Sequence, residues 1–186
     1  MLAGLFSIDS FAGGFLAQSL LALWLFNHFG LSLTAAAEFF FWSGVLGGLS
    51  FLAAAAIANR VGLVNTMVFT HIPSSLCLIG VAFAPNLALA MTLLLVRAAL
   101  SQMDVPTRTS YVMAIVTPGE RAAAASVTAV PRSLAAAISP SISGWLMTIG
   151  AASAPLLICG GLKIAYDLLL LNAFGRIRPI EESRTS

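Results

Sequence analysis

Six long apolar segments, separated by short polar breaks, leave this chain few ways to fold. A helix needs about 20 apolar residues to cross the hydrocarbon core of a membrane. Only 9% of the residues are charged, against about 25% in a typical soluble domain. The sequence therefore predicts an all-α integral membrane protein, with six transmembrane helices in residues 1–174 and a polar cytoplasmic tail at 175–186. We expect the spans at about 2–27, 35–57, 64–84, 87–115, 121–148 and 152–174.

Basic residues predict the orientation of these helices, because cytoplasmic loops of membrane proteins carry an excess of Lys and Arg. The boundaries near 28–36, 84–88 and 149–153 contain neither residue. The even-numbered loops and both termini are therefore expected in the cytoplasm, in a multi-pass protein of the plasma (inner) membrane. No positive charge precedes the first segment to hold that end there. The arginines on or near the opposite set of boundaries are Arg60, Arg108, Arg121, Arg176, Arg178 and Arg184.

A polar stripe runs along the fourth apolar segment. On one uninterrupted helix its members would lie within about 80° of arc. A charge at the bilayer centre costs about 2.5–3.5 kcal/mol on insertion scales, so the stripe is expected to face a wet cavity or polar groups of other helices. We expect Arg97 and Asp104 to be coupled electrostatically, with Ser101 between them. The stripe consists of Arg97, Ser101, Asp104, Arg108 and Tyr111.

A second stripe, in the fifth segment, places small and hydroxylic residues around Arg132. Two interpretations are open: a cavity wall on a mobile helix, or a packing face from which Arg132 reaches the cytoplasmic interface. Two prolines in this segment remove backbone donors and favour kinks. The stripe residues are Thr128, Arg132, Ala136, Ser139 and Ser143, and the prolines are Pro131 and Pro140.

Other polar residues in the apolar segments have both structural and functional interpretations. Asp9 can pair with Arg132 or carry a proton. Lys163 and Asp167 are four residues apart on one helix and can neutralise one another. His71 can relay protons or simply hydrogen-bond to a neighbouring helix.

Helix caps and cysteines complete the local signals. Thr34 is expected to cap the second helix and Thr117 the fifth. Cys77 and Cys159 each stand alone in an apolar segment, which is typical of packed thiols rather than of a disulfide or zinc site. We predict no metal site and no cofactor. The scattered arginines have no basic aromatic patch around them, so no nucleic-acid partner is expected.

Three motifs recur here in the order of a known family. Asn59-Arg60-Val61-Gly62 is similar to a loop signature Asp-Arg-x-Gly-Arg, with Asn59 replacing the acid. Arg97, followed by Pro106 and by Glu120-Arg121, resembles a helix that ends in a proline and an acid–Arg loop. The run 139–144 resembles a Gly-Pro-x-x-Gly-Gly element of antiporter-type members, with Ser139 replacing glycine. The chain thus resembles the C-terminal six-helix half of a major facilitator superfamily (MFS) transporter.

The resemblance implies half of a 12-helix bundle and a secondary transporter of a small solute, coupled to an ion, with uptake and efflux both open. In this superfamily the solute binds near the bilayer midplane, between the two halves. It also implies a partner, either an N-terminal six-helix half or a second copy of the chain, so the chain alone is not expected to transport. The residues expected to line the pathway are Asp9, Arg97, Ser101, Asp104, Arg108 and Arg132.

Two other classes of protein are alternatives to the transporter. The run Ser141-Ile142-Ser143-Gly144 superficially resembles the Gly-x-Ser-Gly of rhomboid-like proteases. Its first glycine is absent and both histidines precede Ser143, so we do not expect an enzyme. The other alternative is a membrane protein without transport activity, either a remnant or an accessory subunit.

The orientation can be tested by cysteine labelling in a background without Cys77 and Cys159. Arg60→Cys is expected to react with a membrane-impermeant maleimide only from the cytoplasmic side, because its loop carries the basic residues. His28→Cys, at the opposite boundary, is the control and is expected to react only from outside. Labelling of Arg60→Cys from outside would overturn the predicted orientation.

Overall fold

The chain is almost entirely helical over the residues that our computed structural model describes, which are 2–114, 116 and 118–174. No strand occurs among these residues. Thr117, Arg176, Arg178, Arg184 and the predicted tail lie outside them. The helices are α1 (Leu2–Gly14), α2 (Gln18–Phe29), α3 (Leu33–Val61), α4 (Leu63–Ala82), α5 (Leu87–Ser101), α6 (Asp104–Ala114), α7 (Arg121–Thr148) and α8 (Ala154–Phe174), with a 3-10 turn at Pro118–Glu120 before α7.

Five helical segments are long and apolar enough to cross a membrane: Ala3–Phe29, Leu33–Val61, Leu63–Ala82, Leu87–Ala114 and Ala154–Phe174. Helix α7 has 28 residues, about 42 Å at 1.5 Å per residue, but it is rich in serine and carries Arg132. Large apolar side chains cover the outside of the bundle, as at Leu52, which is 74% exposed. These features confirm an all-helical protein with five to six segments suited to a bilayer.

The first span is interrupted where α1 ends at the Gly13-Gly14 pair. Tight hydrogen bonds close the end of α1: the Phe15 amide donates to the Ala12 carbonyl at 3.2 Å, and the Leu16 amide donates to the Gly13 carbonyl at 3.1 Å. Glycine is among the weakest helix formers because it loses the most backbone freedom. Helix α2 then starts afresh at Gln18.

The fourth span is interrupted as well, between Ser101 and Asp104. Pro106 explains the position, because a proline ring clashes with the carbonyl four residues earlier and cannot donate to it. That carbonyl belongs to Gln102, where α5 ends. The single uninterrupted stripe expected from Arg97 to Tyr111 is therefore wrong: Arg97 and Ser101 belong to α5, whereas Asp104, Arg108 and Tyr111 belong to α6.

The principal contacts of segments one to three correspond to those of segments four to six. The first segment (α1/α2) packs on the fifth (α7), just as the fourth (α5/α6) packs on the second (α3). The first also packs on the sixth (α8), just as the fourth packs on the third (α4), and the third packs on the sixth. Exchanging the two sets of three leaves these pairings unchanged. Both interrupted segments, the first and the fourth, occupy the leading position of their set.

Two glycines allow the closest helix contacts. A Cβ at Gly14 would overlap the Ser139 hydroxyl and lie 2.7 Å from the carbonyl oxygen of Ala136, so α1 lies directly against α7. A Cβ at Gly160 would lie 2.5 Å from Cγ1 of Ile79 and 3.1 Å from the carbonyl oxygen of Ser75, which brings α8 against α4. Small residues of this kind let helix backbones approach in membranes.

The polar stripe of α7 is largely a packing face. Ser139 and Ser143 are both fully buried, and the Ser143 hydroxyl donates to the carbonyl of Phe15 at 3.0 Å. The helix runs through Pro131 and Pro140 without ending. The packing interpretation of this stripe thus holds for its second half, on the side that faces α1.

Local signals were predicted less well than the segments. Helix α3 is capped by Ser32, whose hydroxyl accepts from the Ala35 amide at 3.2 Å, rather than by Thr34. Thr34 already belongs to the first turn of that helix. Both cysteines are free thiols, as expected.

Alanine at Gly160 is expected to destabilise the bundle by about 1–3 kcal/mol, because its methyl group would overlap α4 and force the two helices apart. The control is Gly161→Ala on the same helix, where a Cβ meets no atom within 4 Å. That change is expected to be neutral or stabilising, by up to about 1 kcal/mol of helix propensity. The denaturation midpoint of the purified chain in detergent measures both, and equal effects would contradict the packing described here.

Candidate functional site

Six ionisable side chains from four helices meet inside the bundle, and we call them the charge cluster. All are buried, with exposures between 0% for Asp167 and 8% for Lys163. Such groups are costly within a membrane protein and mark sites where function is expected. The charge cluster comprises Asp9 of α1, His71 of α4, Asp104 and Arg108 of α6, and Lys163 and Asp167 of α8.

Asp9 lies at the centre of the charge cluster. Its Oδ2 accepts from Nη2 of Arg108 at 2.6 Å, and its Oδ1 accepts from Nζ of Lys163 at 2.6 Å. The same Nη2 of Arg108 also pairs with Oδ2 of Asp104. A single carboxylate therefore joins α1 to α6 and α8 through charge-assisted hydrogen bonds, which are the strong ones.

Asp9 does not pair with Arg132, so that alternative from the sequence is wrong. The Arg132 Nε instead donates to the hydroxyl of Ser10 at 3.1 Å. Consecutive residues of a helix point about 100° apart. Ser10 consequently faces α7, while Asp9 faces α6 and α8.

His71 and Asp167 form a second pair at the edge of the charge cluster. The His71 Nδ1 lies 3.0 Å from both carboxylate oxygens of Asp167. On the other side of the ring, Nε2 lies 3.2 Å from Nζ of Lys163 and 3.8 Å from Oδ1 of Asp9. The expected pairing of Lys163 with Asp167 along α8 is replaced by pairs to other helices, because both side chains point inward to α1 and α4.

Aromatic rings separate the charge cluster from lipid. The Arg108 guanidinium carbon lies 5.1 Å from the centroid of the Phe6 ring and 5.8 Å from that of Tyr166, within reach of cation–π attraction. Both rings are fully buried. Excluding water in this way lowers the local dielectric, which strengthens each ion pair and raises the cost of any unpaired charge.

Asp104 is the first residue of α6, directly after the interruption. A carboxylate at this end of a helix is stabilised by the unpaired amides and the helix dipole. Its Oδ2 pairs with Arg108 one turn further along the helix. Its Oδ1 is buried without a hydrogen-bond partner among the described residues.

Arg97 and Ser101 lie outside the charge cluster. Both are half-buried in α5, and the Arg97 guanidinium has no ion pair with any described residue. Asp104 pairs with Arg108, so the expected coupling of Arg97 to Asp104 through Ser101 is not seen. The interruption between Ser101 and Asp104 explains this, because it breaks the register that would have aligned them.

Arg108 differs from its expected place at a cytoplasmic boundary, since it is 4% exposed and inside the charge cluster. The other arginine of the predicted pathway, Arg132, is half-buried near the middle of α7. Its hydrogen bond is to the neutral hydroxyl of Ser10. Arg97 and Arg132 thus remain as two cations at membrane depth without an acidic partner among the described residues.

The motif-like loop at Asn59, Arg60 and Gly62 is a single-residue junction. Gly62 has φ +87°, in the region that favours glycine. Its amide donates to the Ala58 carbonyl at 2.9 Å and closes α3, while its own carbonyl accepts from the Thr66 amide at 3.0 Å and opens α4. Asn59 and Arg60 are exposed beside it.

Three members of the charge cluster, His71, Lys163 and Asp167, were absent from the predicted pathway. Each is an ionisable group in an apolar segment, and the rule that singled out Arg97 applies equally to them. The four-residue spacing of Lys163 and Asp167 concealed their role, because it offered a local explanation for both charges.

The chemistry open to the charge cluster is that of charge pairing and proton exchange. Among the described residues, no group of three or more His, Cys, Asp and Glu side chains is suited to a metal ion. Comparison with protein-family models, with curated proteins and with solved structures finds no match to this chain.

Double-mutant cycles can test the pairing of Asp104. Asp104→Asn and Arg108→Gln are expected to be non-additive by about 0.5–3 kcal/mol in unfolding free energy, because the two side chains share an ion pair. Asp104→Asn with Arg97→Gln is the matched control, and its effects are expected to add. Denaturation midpoints in detergent give both interaction energies, and a larger coupling to Arg97 would refute the arrangement.

Proposed function

We propose that the chain is the C-terminal half of an MFS secondary transporter, which moves a small solute across the inner membrane by ion coupling. The observation that carries this proposal is the pair of interrupted helices. In transporters built from repeats, interrupted segments at corresponding positions mark the substrate and ion sites. Here the first and fourth segments are interrupted: Asp104 begins the helix after the second interruption, and Asp9 belongs to α1, the helix that ends at the first.

The packing pattern supports the same proposal. MFS halves contain two three-helix repeats of inverted topology, nested within each six-helix unit. The principal pairings of this bundle, first with fifth and sixth, fourth with second and third, and third with sixth, are unchanged when segments one to three are exchanged with four to six. The smaller contact of the fourth segment with the fifth has no comparable counterpart between the first and the second. Since each set contains an odd number of spans, consecutive crossing would place the second set upside down relative to the first. Six consecutive spans would place both termini on one face of the membrane, and the basic residues of the even-numbered loops favour the cytoplasmic face.

The burial of the charge cluster adds an energetic reason. Replacing buried ion pairs by apolar side chains of similar size is often neutral or stabilising, so stability alone does not explain them. Six ionisable groups inside one bundle are better explained by a task that needs charge at membrane depth. Binding and moving an ion is such a task.

A second unit is required by Arg97 and Arg132. Both lie near the middle of membrane-spanning segments and lack an acidic partner among the described residues. Facing lipid would cost several kcal/mol each, so they need a wall or a wet cavity, which an N-terminal six-helix half or a second copy would supply. Arg108 needs no such wall, because Asp9 and Asp104 neutralise it within this bundle.

One observation favours a different role, that of an accessory membrane subunit without transport. Asp9, Arg108 and Lys163 satisfy one another inside a single bundle, as they would in a purely structural network. A structural network requires no opposing half and no solute. The two proposals therefore differ in what the purified chain binds and in whether a second unit restores flux.

Reconstitution separates these roles. The monomeric chain in proteoliposomes is expected to show no counterflow of labelled sugars, amino acids or organic cations, because one half cannot alternate access around a site between two halves. Crosslinked dimers of the chain are the second arm, and Asp9→Asn is the inactive control. Saturable counterflow from a monomer would overturn the requirement for a second unit.

Flux through the dimer that Asp9→Asn abolishes would support a half-size transporter. A protein that copurifies with the chain from native membranes, and that confers flux when added, would support a separate first half. An absence of flux in every arm, with the native partner present, would favour the accessory subunit.

A further inference from the structure

The charge cluster contains one more acid than permanent base. Its acids are the carboxyl groups of Asp9, Asp104 and Asp167, and its permanent cations are Arg108 and Lys163. With all three acids ionised and His71 neutral, the buried cluster carries one surplus negative charge. An unpaired charge in an apolar interior is costly enough that such a group usually takes up a proton instead.

The contacts locate the surplus charge at Asp167. Asp9 has two cationic partners, Arg108 and Lys163, and Asp104 has Arg108. Asp167 is fully buried, and its partner is the imidazole of His71. The pair of His71 and Asp167 is therefore where one additional positive charge would be most stabilising.

The neighbouring lysine determines the resting state of this pair. An ammonium group is only a donor, so Nε2 of His71, 3.2 Å from Nζ of Lys163, must accept. The ring proton then lies on Nδ1 and is donated to Asp167. In this state the imidazole is neutral and the pair carries the surplus negative charge.

A second state is available at small displacement. A proton from water can bind the lone pair of Nε2 once its hydrogen bond from Lys163 breaks, while Lys163 stays on Asp9 at 2.6 Å. The new N–H faces Oδ1 of Asp9, which already lies 3.8 Å away. The imidazolium would then lie between two carboxylates, and the charges of the cluster would balance.

We propose that the pair of His71 and Asp167 binds one exchangeable proton and that this proton is the ion coupled to transport. The second half of the proposal rests on the proposed function; the first does not. A proton fits better than a metal cation, since no set of three suitable ligands is present among the described residues. Binding at the pair would also free Lys163 from His71, which links occupancy to the contacts of α8.

Charged and titratable groups face His71 from most of the helices packed against α4. Asp9 and Lys163 lie on the Nε2 side of the ring, and Asp167 lies on the Nδ1 side. The groups that act on the His71 ring or on the Asp167 carboxyl are Asp9 of α1, Arg97 of α5, Asp104 and Arg108 of α6, and Lys163 and Tyr166 of α8.

The proton site can be tested on the purified chain in nanodiscs, without transport. The chain has two histidines, His28 and His71, so ¹⁵N-histidine NMR gives two sets of signals, assigned by the His28→Gln control. As the pH falls from about 8 to about 5, the range in which histidine-based switches act, we expect the pair to gain one proton. The gain appears either as a His71 ring shift or as an infrared carboxyl band that Asp167→Asn removes.

The outcomes separate this inference from the proposed function. A pair that shows neither change over this range overturns the proton site, whatever the transport result. Where the wild-type titration is present and flux is established in a reconstituted two-unit assembly, a pH gradient is expected to drive solute and a sodium gradient is not. Flux driven by sodium alone would overturn the coupling while leaving the transporter in place.

Discussion

The carboxylate of Asp9 neutralises two cations that would be costly to bury unpaired in a membrane protein. Arg108 and Lys163 come from two different helices, and both donate to it. Removing one partner of a buried ion pair leaves the other stranded, which typically costs about 3–5 kcal/mol. The relative rotation of α1, α6 and α8 is therefore set by one acid near the start of the chain. The aromatic rings of Phe6 and Tyr166 reinforce this arrangement by keeping water from the pairs.

The interruptions of the helices and the small residues at helix contacts help to position the polar groups in and around the charge cluster. The end of α5 before Asp104 turns a carboxylate into the first residue of a new helix, where free amides favour it. Gly14 and Gly160 bring α7 and α8 close enough for the polar side chains between helices to meet. Neither feature stabilises the bundle by apolar burial. Both place polar groups where the surrounding packing leaves them no alternative partner.

The segments were predictable from the sequence, whereas the pairing of charges was not. The length of an apolar segment alone identifies a membrane-crossing helix, because the thickness of the hydrocarbon core sets how many apolar residues are needed to cross it. Which acid meets which base depends on how each helix is rotated, and a single interruption changes that rotation. Arg132 was the wrong partner for Asp9, because Ser10, one residue later, faces α7 and takes the hydrogen bond from Arg132. For His71 a hydrogen bond to a neighbouring helix was one of two interpretations, but the sequence could not identify Asp167 as the partner, because Lys163 offered that acid a local one.

The junction at Gly62 has a mechanical consequence. A single residue, Gly62, separates α3 from α4, so the facing ends at Val61 and Leu63 cannot lie more than about 7 Å apart, the reach of two extended residues. Gly62 is therefore the one hinge residue between the two helices. Any change in the tilt of α3, whose outer surface faces lipid, is taken up by the backbone torsions of Gly62 or is passed on to α4. Helix α4, which carries His71, is thus tied at its first residue to the end of α3.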